Sequence, residues 1–353
     1  MRQIVLPRHG GPEVLVLREA PDPTPYADEV RIAVEAIGVN FADVLARQGF
    51  YPDAPSLPAV IGYEVAGVID RVGEGVAQQR VGERVLALAR FGGYSSSVIV
   101  PSAHALPIPG RLTTVEAAVI PVNYLTAFVA LYKIANVASG ETTLVYGAGG
   151  GVGVAAIQLA RLRNAAIIGT ASAAKHDAIR QLGVENVLDP SQTNVADEVR
   201  RLTGNRGVDV VLDPIGGQHF RKSYQLLAPL GRLVLFGASS VINERNSWAR
   251  AAFTMMTMPA FKSMQLINDN RGVFGLNLGR LWSEHGRIAQ MMAEILLQFE
   301  AGHLQPVISR VFPMENAADA HRFLQSRANF GKVILTTSPE SSLNGVAAAS
   351  QKS

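Results

Sequence analysis

The sequence predicts an α/β protein in which a compact β-rich part accompanies a doubly wound parallel sheet. In the N-terminal third, apolar and polar residues alternate over 30–37 and 64–70, a period of two that is typical of strands. From about residue 122 the predicted strands alternate with helical segments, which favours a parallel sheet with helices on both faces. With 353 residues the chain is long enough for two such domains.

The predicted elements divide the chain into four segments. Residues 1–121 form a barrel-like part, because Gly73, Gly75, Gly82 and Gly92 mark turns between short strands. Residues 122–268 form the parallel sheet. After that, residues 269–337 return to the first domain, and the small, polar residues 338–353 are expected to be a mobile tail. The main predicted strands are 165–170, 186–189, 208–213, 232–237, 306–312 and 331–335, and the helices are 195–202, 220–227, 283–301 and 315–326.

A strand, a glycine-rich turn and a helix follow one another over residues 142–160. Ala148, Gly150 and Gly153 occupy the three fixed positions of a G-x-G-x-x-G pattern, with alanine in the first. Glycines let the backbone approach a pyrophosphate, and the helix N-terminus presents free N–H groups to it. We therefore expect a dinucleotide to bind at Ala148, Gly150, Gly151, Val152 and Gly153.

The residues after the second strand indicate which dinucleotide is bound. NAD-binding proteins place an acid here on the ribose hydroxyls, whereas this chain has Ser172 and Lys175 and no acid before Asp177. A hydroxyl and an ammonium would attract a 2′-phosphate, which predicts NADP(H). The alternative is that Ser172 caps a surface helix and Lys175 is simply solvated.

Composition excludes several classes of function. Net charge is +3, from 32 basic and 29 acidic residues, and no basic run suggests nucleic acid or an anionic membrane. Residues 1–8 are too polar for a signal peptide, and no uninterrupted apolar stretch of about 20 residues predicts an integral membrane segment. A cytoplasmic location is expected.

The chain contains no cysteine, which excludes disulfides, thiolate-ligated zinc, iron–sulfur clusters and cysteine nucleophiles. Its seven histidines are scattered and show no H-x₃-H spacing. A catalytic zinc needs about three converging ligands, so no metal site is expected.

Six segments occur in a characteristic order along the chain: 38–43, 67–76, 82–85, 123–127, 213–217 and 331–333. With them the chain resembles the medium-chain dehydrogenase/reductase superfamily over nearly its full length. Two further segments, 40–51 and 272–279, are most similar to the zinc-free quinone oxidoreductases, and to the branch of vesicle amine transport protein homologues.

The resemblance implies a GroES-like catalytic domain, a Rossmann nucleotide-binding domain, NADP(H) as cofactor and a homodimer formed through the edge of the nucleotide-binding sheet. Zinc-dependent relatives carry a cysteine shortly after the Gly38-Val39 turn and a Gly-His-Glu sequence further on. This chain has Asn40 and Tyr63-Glu64 in the corresponding segments. Oxidation of an alcohol through a zinc alkoxide is therefore not expected.

The resemblance also implies the catalytic residues, Asn40 and Tyr51, beside the nicotinamide. The sequence Gly49-Phe50-Tyr51-Pro52 matches a Gly-x-Tyr-Pro in enoyl-thioester reductases, where the tyrosine is a proton donor. A phenol with a pKa near 10 is protonated at neutral pH and can donate. The alternatives are that Tyr51 only shields the cofactor and that Asn40 is a turn-capping amide.

Further cofactor contacts follow from the same resemblance. Thr126 would neighbour the nicotinamide amide, unless it is an ordinary helix residue. Phe236 and Gly237 end a strand at its carboxyl edge. The remaining expected contacts are Phe274, Leu276 and Asn329. One departure is that Asp189-Pro190 follows the third strand, where many quinone reductases have a tyrosine near the 2′-phosphate.

The function expected from these observations is an NADPH-dependent reductase of quinones or other activated α,β-unsaturated carbonyls that uses neither metal nor flavin. A 2-enoyl-thioester reductase is one alternative. The other is an NADPH-binding regulatory or membrane-adaptor protein with little turnover.

Overall fold

The computed structural model describes residues 1–240, 252–254 and 256–338. Apart from Ser338, the expected tail at 338–353 lies outside the described residues. The chain divides into two compact units, unit 1 with Met1–Leu125 and the chain from Leu278 onwards, and unit 2 with Thr126–Asn277. The domain boundaries expected from the sequence stay a prediction.

The first part of unit 1 is mostly strands. Its elements are β1 (Arg2–Leu6), β2 (Val16–Glu19), β3 (Glu29–Val39), α1 (Phe41–Gln48), β4 (Ala59–Val60), β5 (Glu64–Val72), β6 (Arg84–Leu88), β7 (Ser97–Pro101), β8 (Ala105–Pro107), α2 (Thr114–Ala117) and the start of α3 (Ile120–Phe128), with 3-10 turns at Pro12–Val14 and Ser102–His104.

Unit 2 alternates strands and helices. After a π-helical stretch, Val129–Ile134, come β9 (Thr142–Val145), α4 (Gly151–Leu162), β10 (Ala166–Thr170), α5 (His176–Gln181), β11 (Asn186–Leu188), α6 (Val195–Leu202), β12 (Val208–Asp213), α7 (His219–Gln225), β13 (Leu227–Leu235), α8 (Ser263–Asp269) and β14 (Gly272–Gly275), with a 3-10 turn at Ala173–Lys175.

The chain then completes unit 1 with α9 (His285–Glu300), β15 (Ile308–Pro313), α10 (Ala317–Gln325) and β16 (Lys332–Thr336), and with 3-10 turns at Leu278–Leu281 and Met314–Asn316. In unit 1 one sheet has the order β2-β1-β4. The other has the order β15-β16-β3-β5-β6-β8, with β7 also paired to β3. Alternating apolar residues of β3 and β5 are fully buried and form its core.

The six strands of unit 2 have the order β11-β10-β9-β12-β13-β14, and every pairing in this sheet is parallel. Strand β9 therefore lies near the middle, next to β10 and β12, where the chain reverses its direction of winding. Ligands of such sheets bind outside the carboxyl ends of the strands at this point. The expected fold class, a GroES-like β-rich domain and a Rossmann-type parallel sheet, is confirmed.

One helical run bears on the expected lack of an integral membrane segment. The helical run Thr114–Ile134 has 21 residues and an average hydropathy of 1.5, so within the described residues it is long and apolar enough to cross a membrane. It is not an uninterrupted apolar stretch, because polar residues such as Asn123 lie within it. In the structure, 83% of its most apolar window is buried inside the protein.

Candidate active site

The glycine turn of unit 2 joins β9 directly to α4. Gly147 takes the left-handed conformation (φ +66°), and the N–H of Gly150 donates to its carbonyl at 2.9 Å. A Cβ on Gly153 would lie 2.3 Å from that carbonyl oxygen and 2.8 Å from the Cα of Ala148. Only glycine lets the helix start this close to the turn, and the first-turn N–H groups of residues 151–153 have no partner within the helix. This geometry is suited to a phosphate.

Alanine can stand in the first position of the motif because its neighbour in β10 is a glycine. A Cβ on Gly169 would lie 3.1 Å from the Cβ of Ala148, so a larger residue there would crowd the fully buried alanine. The N–H of Ala148 donates to the carbonyl of Thr170 at 2.9 Å, which fastens the turn to the end of β10. Sequence reasoning missed both Gly147 and Gly169.

The segment expected to select the 2′-phosphate lies beside a carboxylate from the next strand. Asp189, just after β11, accepts hydrogen bonds from the N–H and hydroxyl of Ser191 (2.9 and 2.7 Å) and from the N–H of Ala173 (2.9 Å). These bonds, first that of the Ser191 hydroxyl, lower the pKa of Asp189, so it is charged at neutral pH. Because β10 and β11 are parallel neighbours that end together, the residues after both strands meet at one edge.

Ser172 is exposed at the start of the 3-10 turn, and its side chain makes no capping hydrogen bond. Lys175 is half-buried at the end of the same turn. An ammonium, a hydroxyl and a carboxylate therefore share this edge. Sequence reasoning weighed only the first two, since it noted at Asp189-Pro190 the missing tyrosine and not the carboxylate.

The expected nicotinamide contacts in unit 2 separate into two groups. Phe236 and Leu276 lie at the carboxyl edge, since the N–H of Phe236 donates to the carbonyl of Asp213 (3.2 Å) and that of Leu276 to Leu235 (2.8 Å). Gly237 follows, where a Cβ would meet the carbonyl of Pro214 at 2.9 Å. Thr126 is buried in α3.

Phe274 is placed differently from Leu276. It lies within the edge strand β14 and is 42% exposed. Its ring covers Gly272, two residues earlier, where a Cβ would lie 2.8 Å from the Phe274 Cε2 atom. The ring therefore points back along the strand, away from the carboxyl edge.

Asn40 of unit 1 is the N-cap residue of α1 and forms a capping box with Asp43, as the alternative interpretation proposed, but its amide also has other partners. Its amide Nδ2 donates to Glu64 Oε1 at 2.7 Å and to the carbonyl of Gly38 at 3.3 Å, while its Oδ1 accepts from Lys332 Nζ at 2.6 Å. Both amide protons are therefore engaged within the protein. As a donor to a substrate, Asn40 would first have to give up one of these bonds.

The partners of Asn40 form a buried ion pair. Lys332 and Glu64 are 2% and 0% exposed, and the ammonium contacts Glu64 Oε1. Glu64 Oε2 also accepts from the N–H of Val122 at 2.7 Å, and Lys332 Nζ donates to Asn123 Oδ1 at 3.3 Å. We call Asn40, Glu64, Asn123 and Lys332 the polar cluster.

Strand register brings the polar cluster together. Val333 of β16 lies opposite Val39 of the antiparallel β3, which places Lys332 beside the residue that follows β3. Gly38 is required next to it, because a Cβ there would lie 2.4 Å from Glu64 Oε1. Sequence reasoning missed Lys332 as a site residue. The sequence did contain a signal for it, because Lys332 is the first residue of a mostly apolar strand, and that strand is fully buried.

A second chain of buried polar groups begins at Asp43, which accepts from the N–H of Asn40 at 2.7 Å. The hydroxyl of Tyr94 donates to Asp43 Oδ2 (3.3 Å) and lies 2.9 Å from His321 Nε2. Arg47 Nε donates to His321 Nδ1 at 3.3 Å, so the histidine proton is on Nε2 and is given to Tyr94. Burial raises the pKa of Asp43 to about 7 and lowers that of His321 to about 3.

Tyr51 lies just beyond α1, with its ring edge-on to Tyr63 at a centroid distance of 5.8 Å. Tyr63 in turn packs on Phe91 at 5.1 Å. Burial raises the pKa of Tyr51, and the Asp53 carboxylate adds to the effect. The phenol is thus protonated at neutral pH, as a proton donor must be. Asn329 is buried, and its Nδ2 donates to the carbonyl of Gly331 at 2.9 Å.

Comparison with known proteins identifies the family. Residues 26–110 match the alcohol dehydrogenase GroES-like domain, and residues 182–335 match the zinc-binding dehydrogenase family. Over 345 residues the chain is 39% identical to the synaptic vesicle membrane protein VAT-1 homolog of Rattus norvegicus, covering 96% of this chain and 85% of that protein. The chain belongs to the medium-chain dehydrogenase/reductase superfamily. The resemblance inferred from the sequence is confirmed, and the superfamily is one of oxidoreductases.

Two solved structures of this superfamily are similar over nearly the whole chain. The Escherichia coli quinone oxidoreductase, solved in complex with NADPH, is 28% identical with a TM-score of 0.85, covering 95% of this chain and all of that one. The CurK enoyl reductase is 30% identical with a TM-score of 0.83, covering 95% and 98%.

The donor set of this chain does not fit the zinc ion in the name of one matched family. Within the part of the chain that the structure describes, no group of three or more histidine, cysteine, aspartate or glutamate side chains could hold a metal. At Glu64, where a ligand would be sought, the Lys332 ammonium already pairs with the carboxylate. A divalent cation would have to displace a buried positive charge.

Proposed function

We propose that the protein is a zinc-independent, NADPH-dependent reductase that transfers a hydride to quinones or other activated α,β-unsaturated carbonyls. The observation that carries the proposal is the Lys332–Glu64 ion pair, which supplies an internal cation where metal-dependent chemistry would need ligands. In such a site, hydrogen bonds from the protein have to activate the substrate carbonyl. The similarity to a quinone oxidoreductase solved with NADPH supports the same conclusion.

The glycine turn would hold the pyrophosphate, and Ser172 with Lys175 the 2′-phosphate. When bound, the reduced nicotinamide supplies a hydride to the electron-poor carbon of the acceptor. The electron pair of the activated double bond then moves to the carbonyl oxygen, whose negative charge needs a donor. Tyr51, kept protonated by burial, is proposed to give the proton that completes the reduction.

A steady-state assay tests the proposal by following NADPH oxidation with quinones, enones and enoyl-thioesters. We expect Tyr51→Phe to lower turnover by about 10²-fold or more, while NADPH affinity stays nearly unchanged. Tyr26→Phe is the control, because Tyr26 is 80% exposed. Unchanged turnover in Tyr51→Phe would mean that Tyr51 only shields the cofactor.

The 2-enoyl-thioester reductase is the second candidate. Similarity to the CurK enoyl reductase and the Gly49–Pro52 sequence favour it. A preference in kcat/KM for enoyl-thioesters over quinones would select it. The third candidate, a regulatory adaptor, would be favoured by NADPH binding without turnover of any acceptor, together with binding to liposomes.

Choice of cofactor is proposed to depend on Lys175 and Asp189 in opposite ways. Lys175→Ala should weaken NADPH much more than NADH, whereas Asp189→Asn should strengthen NADPH, because a charge that repels the phosphate is removed. Fluorescence titrations with both cofactors measure this. Equal effects of Lys175→Ala on both would make Lys175 a surface residue only.

We also propose a homodimer and a cytoplasmic location. β14 is the edge strand of the unit 2 sheet, and pairing of two such edges would extend the sheet. Light scattering on the purified protein gives the mass in solution. A monomer at micromolar concentration would contradict the dimer.

A further inference from the structure

The amide of Asn123 is held in one orientation by the polar cluster. It is 3% exposed in α3, and its Oδ1 accepts from Lys332 Nζ at 3.3 Å. Because an ammonium can only donate, the oxygen must face it and the Nδ2 group must point elsewhere. This buried Nδ2 has no hydrogen-bond partner among the residues that the structure describes.

The side-chain amides of Asn40 and Asn123, both in the polar cluster, differ in their hydrogen bonding. Asn40 donates its Nδ2 protons to Glu64 and to the carbonyl of Gly38, whereas the Nδ2 group of Asn123 donates to none of the described residues. Burying a donor without a partner is costly, and native proteins keep one mainly where a ligand or water completes it. The adjacent ammonium also polarises the Asn123 amide, which makes its N–H a stronger donor.

We propose that Asn123 Nδ2 donates a hydrogen bond to the carbonyl oxygen of the substrate, and that Lys332 is the positioning residue that fixes this amide. The inference rests on the proposed reductase function and deepens it. Tyr51 would supply the proton, and Asn123 would stabilise the negative charge that develops on oxygen as the hydride arrives. Both groups belong to unit 1.

Two variants separate this role from a structural one. Asn123→Leu keeps the branched shape of the side chain and has no polar atom. Asn123→Asp keeps an oxygen facing Lys332 but loses the Nδ2 donor. We expect kcat with the best acceptor to fall about 10²- to 10³-fold in both, the cost of removing one oxyanion donor, with unchanged NADPH affinity. Melting temperatures are measured for both, because Asn123→Asp adds a buried carboxylate beside Lys332 and Glu64. Wild-type kcat in Asn123→Asp would mean that Asn123 only holds Lys332 and would overturn the proposal.

Lys332 is tested in the charge-neutral double variant Lys332→Met/Glu64→Gln. If Lys332 orients the amide, kcat falls while KM and NADPH affinity stay near those of the wild type. Wild-type kcat in a stably folded double variant would refute the positioning role.

A binding experiment distinguishes failure of this inference from failure of the proposed function. 4-Nitrophenolate, a stable oxyanion, is titrated calorimetrically into the NADPH complex of wild type and Asn123→Leu. We expect about tenfold weaker binding in the variant. If no acceptor is reduced but this loss is seen, the reductase function fails and the donor role stands. If the wild type reduces quinones and Asn123→Leu matches it in both turnover and phenolate affinity, the inference is overturned and the function stands.

Discussion

Replacing Lys332 by methionine removes the cation from the polar cluster and leaves the Glu64 carboxylate buried. Breaking a buried ion pair by removing one partner typically costs about 3–5 kcal/mol. Lys332 and Glu64 are 2% and 0% exposed, so water cannot compensate for the lost charge. Glu64 still accepts from Asn40 Nδ2 and from the N–H of Val122, both at 2.7 Å. We therefore expect the low end of the range, about 3 kcal/mol.

The double variant Lys332→Met/Glu64→Gln should recover most of this loss. A glutamine at 64 can accept from Val122 and, if the Asn40 amide rotates, donate to Asn40 Oδ1. We expect a free energy of unfolding within about 1 kcal/mol of the wild type, because neutral groups of similar volume replace buried pairs at little cost.

Urea denaturation followed by circular dichroism at pH 7 measures the three proteins. The exposed pair Arg180–Asp177, 52% and 93% exposed, provides the control, and Arg180→Met should change stability by less than about 1 kcal/mol. A Lys332→Met variant as stable as this control would show that Glu64 is not an unpaired buried charge. A double variant no more stable than the single one would show that packing of the lysine chain, rather than its charge, matters.

Three further predictions follow from the buried groups and the glycine turn. Burial raises the pKa of Asp43 from 3.8 to about 7, so between these values the native state holds a proton that the unfolded state has lost. The free energy of unfolding should therefore fall by up to about 1.4 kcal/mol per pH unit as pH rises from 4 to 7. Asp43→Asn should remove this dependence in urea titrations at several pH values. Burial lowers the pKa of His321 from 6.5 to about 3, so its contribution is present above pH 6.5 and is lost as pH falls towards 3; His321→Gln should flatten that acid limb. Gly153→Ala places a Cβ 2.3 Å from the Gly147 carbonyl and should weaken NADPH at least about tenfold by fluorescence titration, while Gly286→Ala, where nothing lies within 4 Å, should not.

Each of these has a result that would contradict it. An unchanged pH slope in Asp43→Asn would mean that the carboxyl is ionised throughout that range in the native state. A steeper acid limb in His321→Gln would mean that the histidine is charged when folded. Wild-type NADPH affinity in Gly153→Ala would mean that the turn can move without affecting the cofactor.

Local patterns predicted most of the fold. The predicted strand 208–213 and helix 195–202 coincide with β12 and α6, and the predicted elements 283–301 and 331–335 differ from α9 and β16 by at most two residues at each end. These elements have strong apolar periods and clear glycine or polar ends, so each is specified within a short window.

The site was harder to predict, because its contacts join distant parts of the chain. Lys332 and Asn40 are separated by 292 residues, and only the pairing of β16 with β3 brings them together. No local pattern reports such a pairing. The position of Asp189 near Ser172 and Lys175 could have been predicted from the sequence, because two parallel strands that end at the same edge bring the residues that follow them close together.

The register between β16 and β3 has a consequence for how the protein is made. Glu64 and Asn40 are synthesised before unit 2, but the cation that contacts them is supplied by residue 332, which is synthesised after unit 2. Until then the first part of unit 1 cannot bury Glu64 in its final environment, whereas the six strands of unit 2 are all present once residue 275 has emerged. We therefore expect unit 2 to fold on the ribosome before unit 1, and truncation before Lys332 to leave unit 1 without its counter-ion.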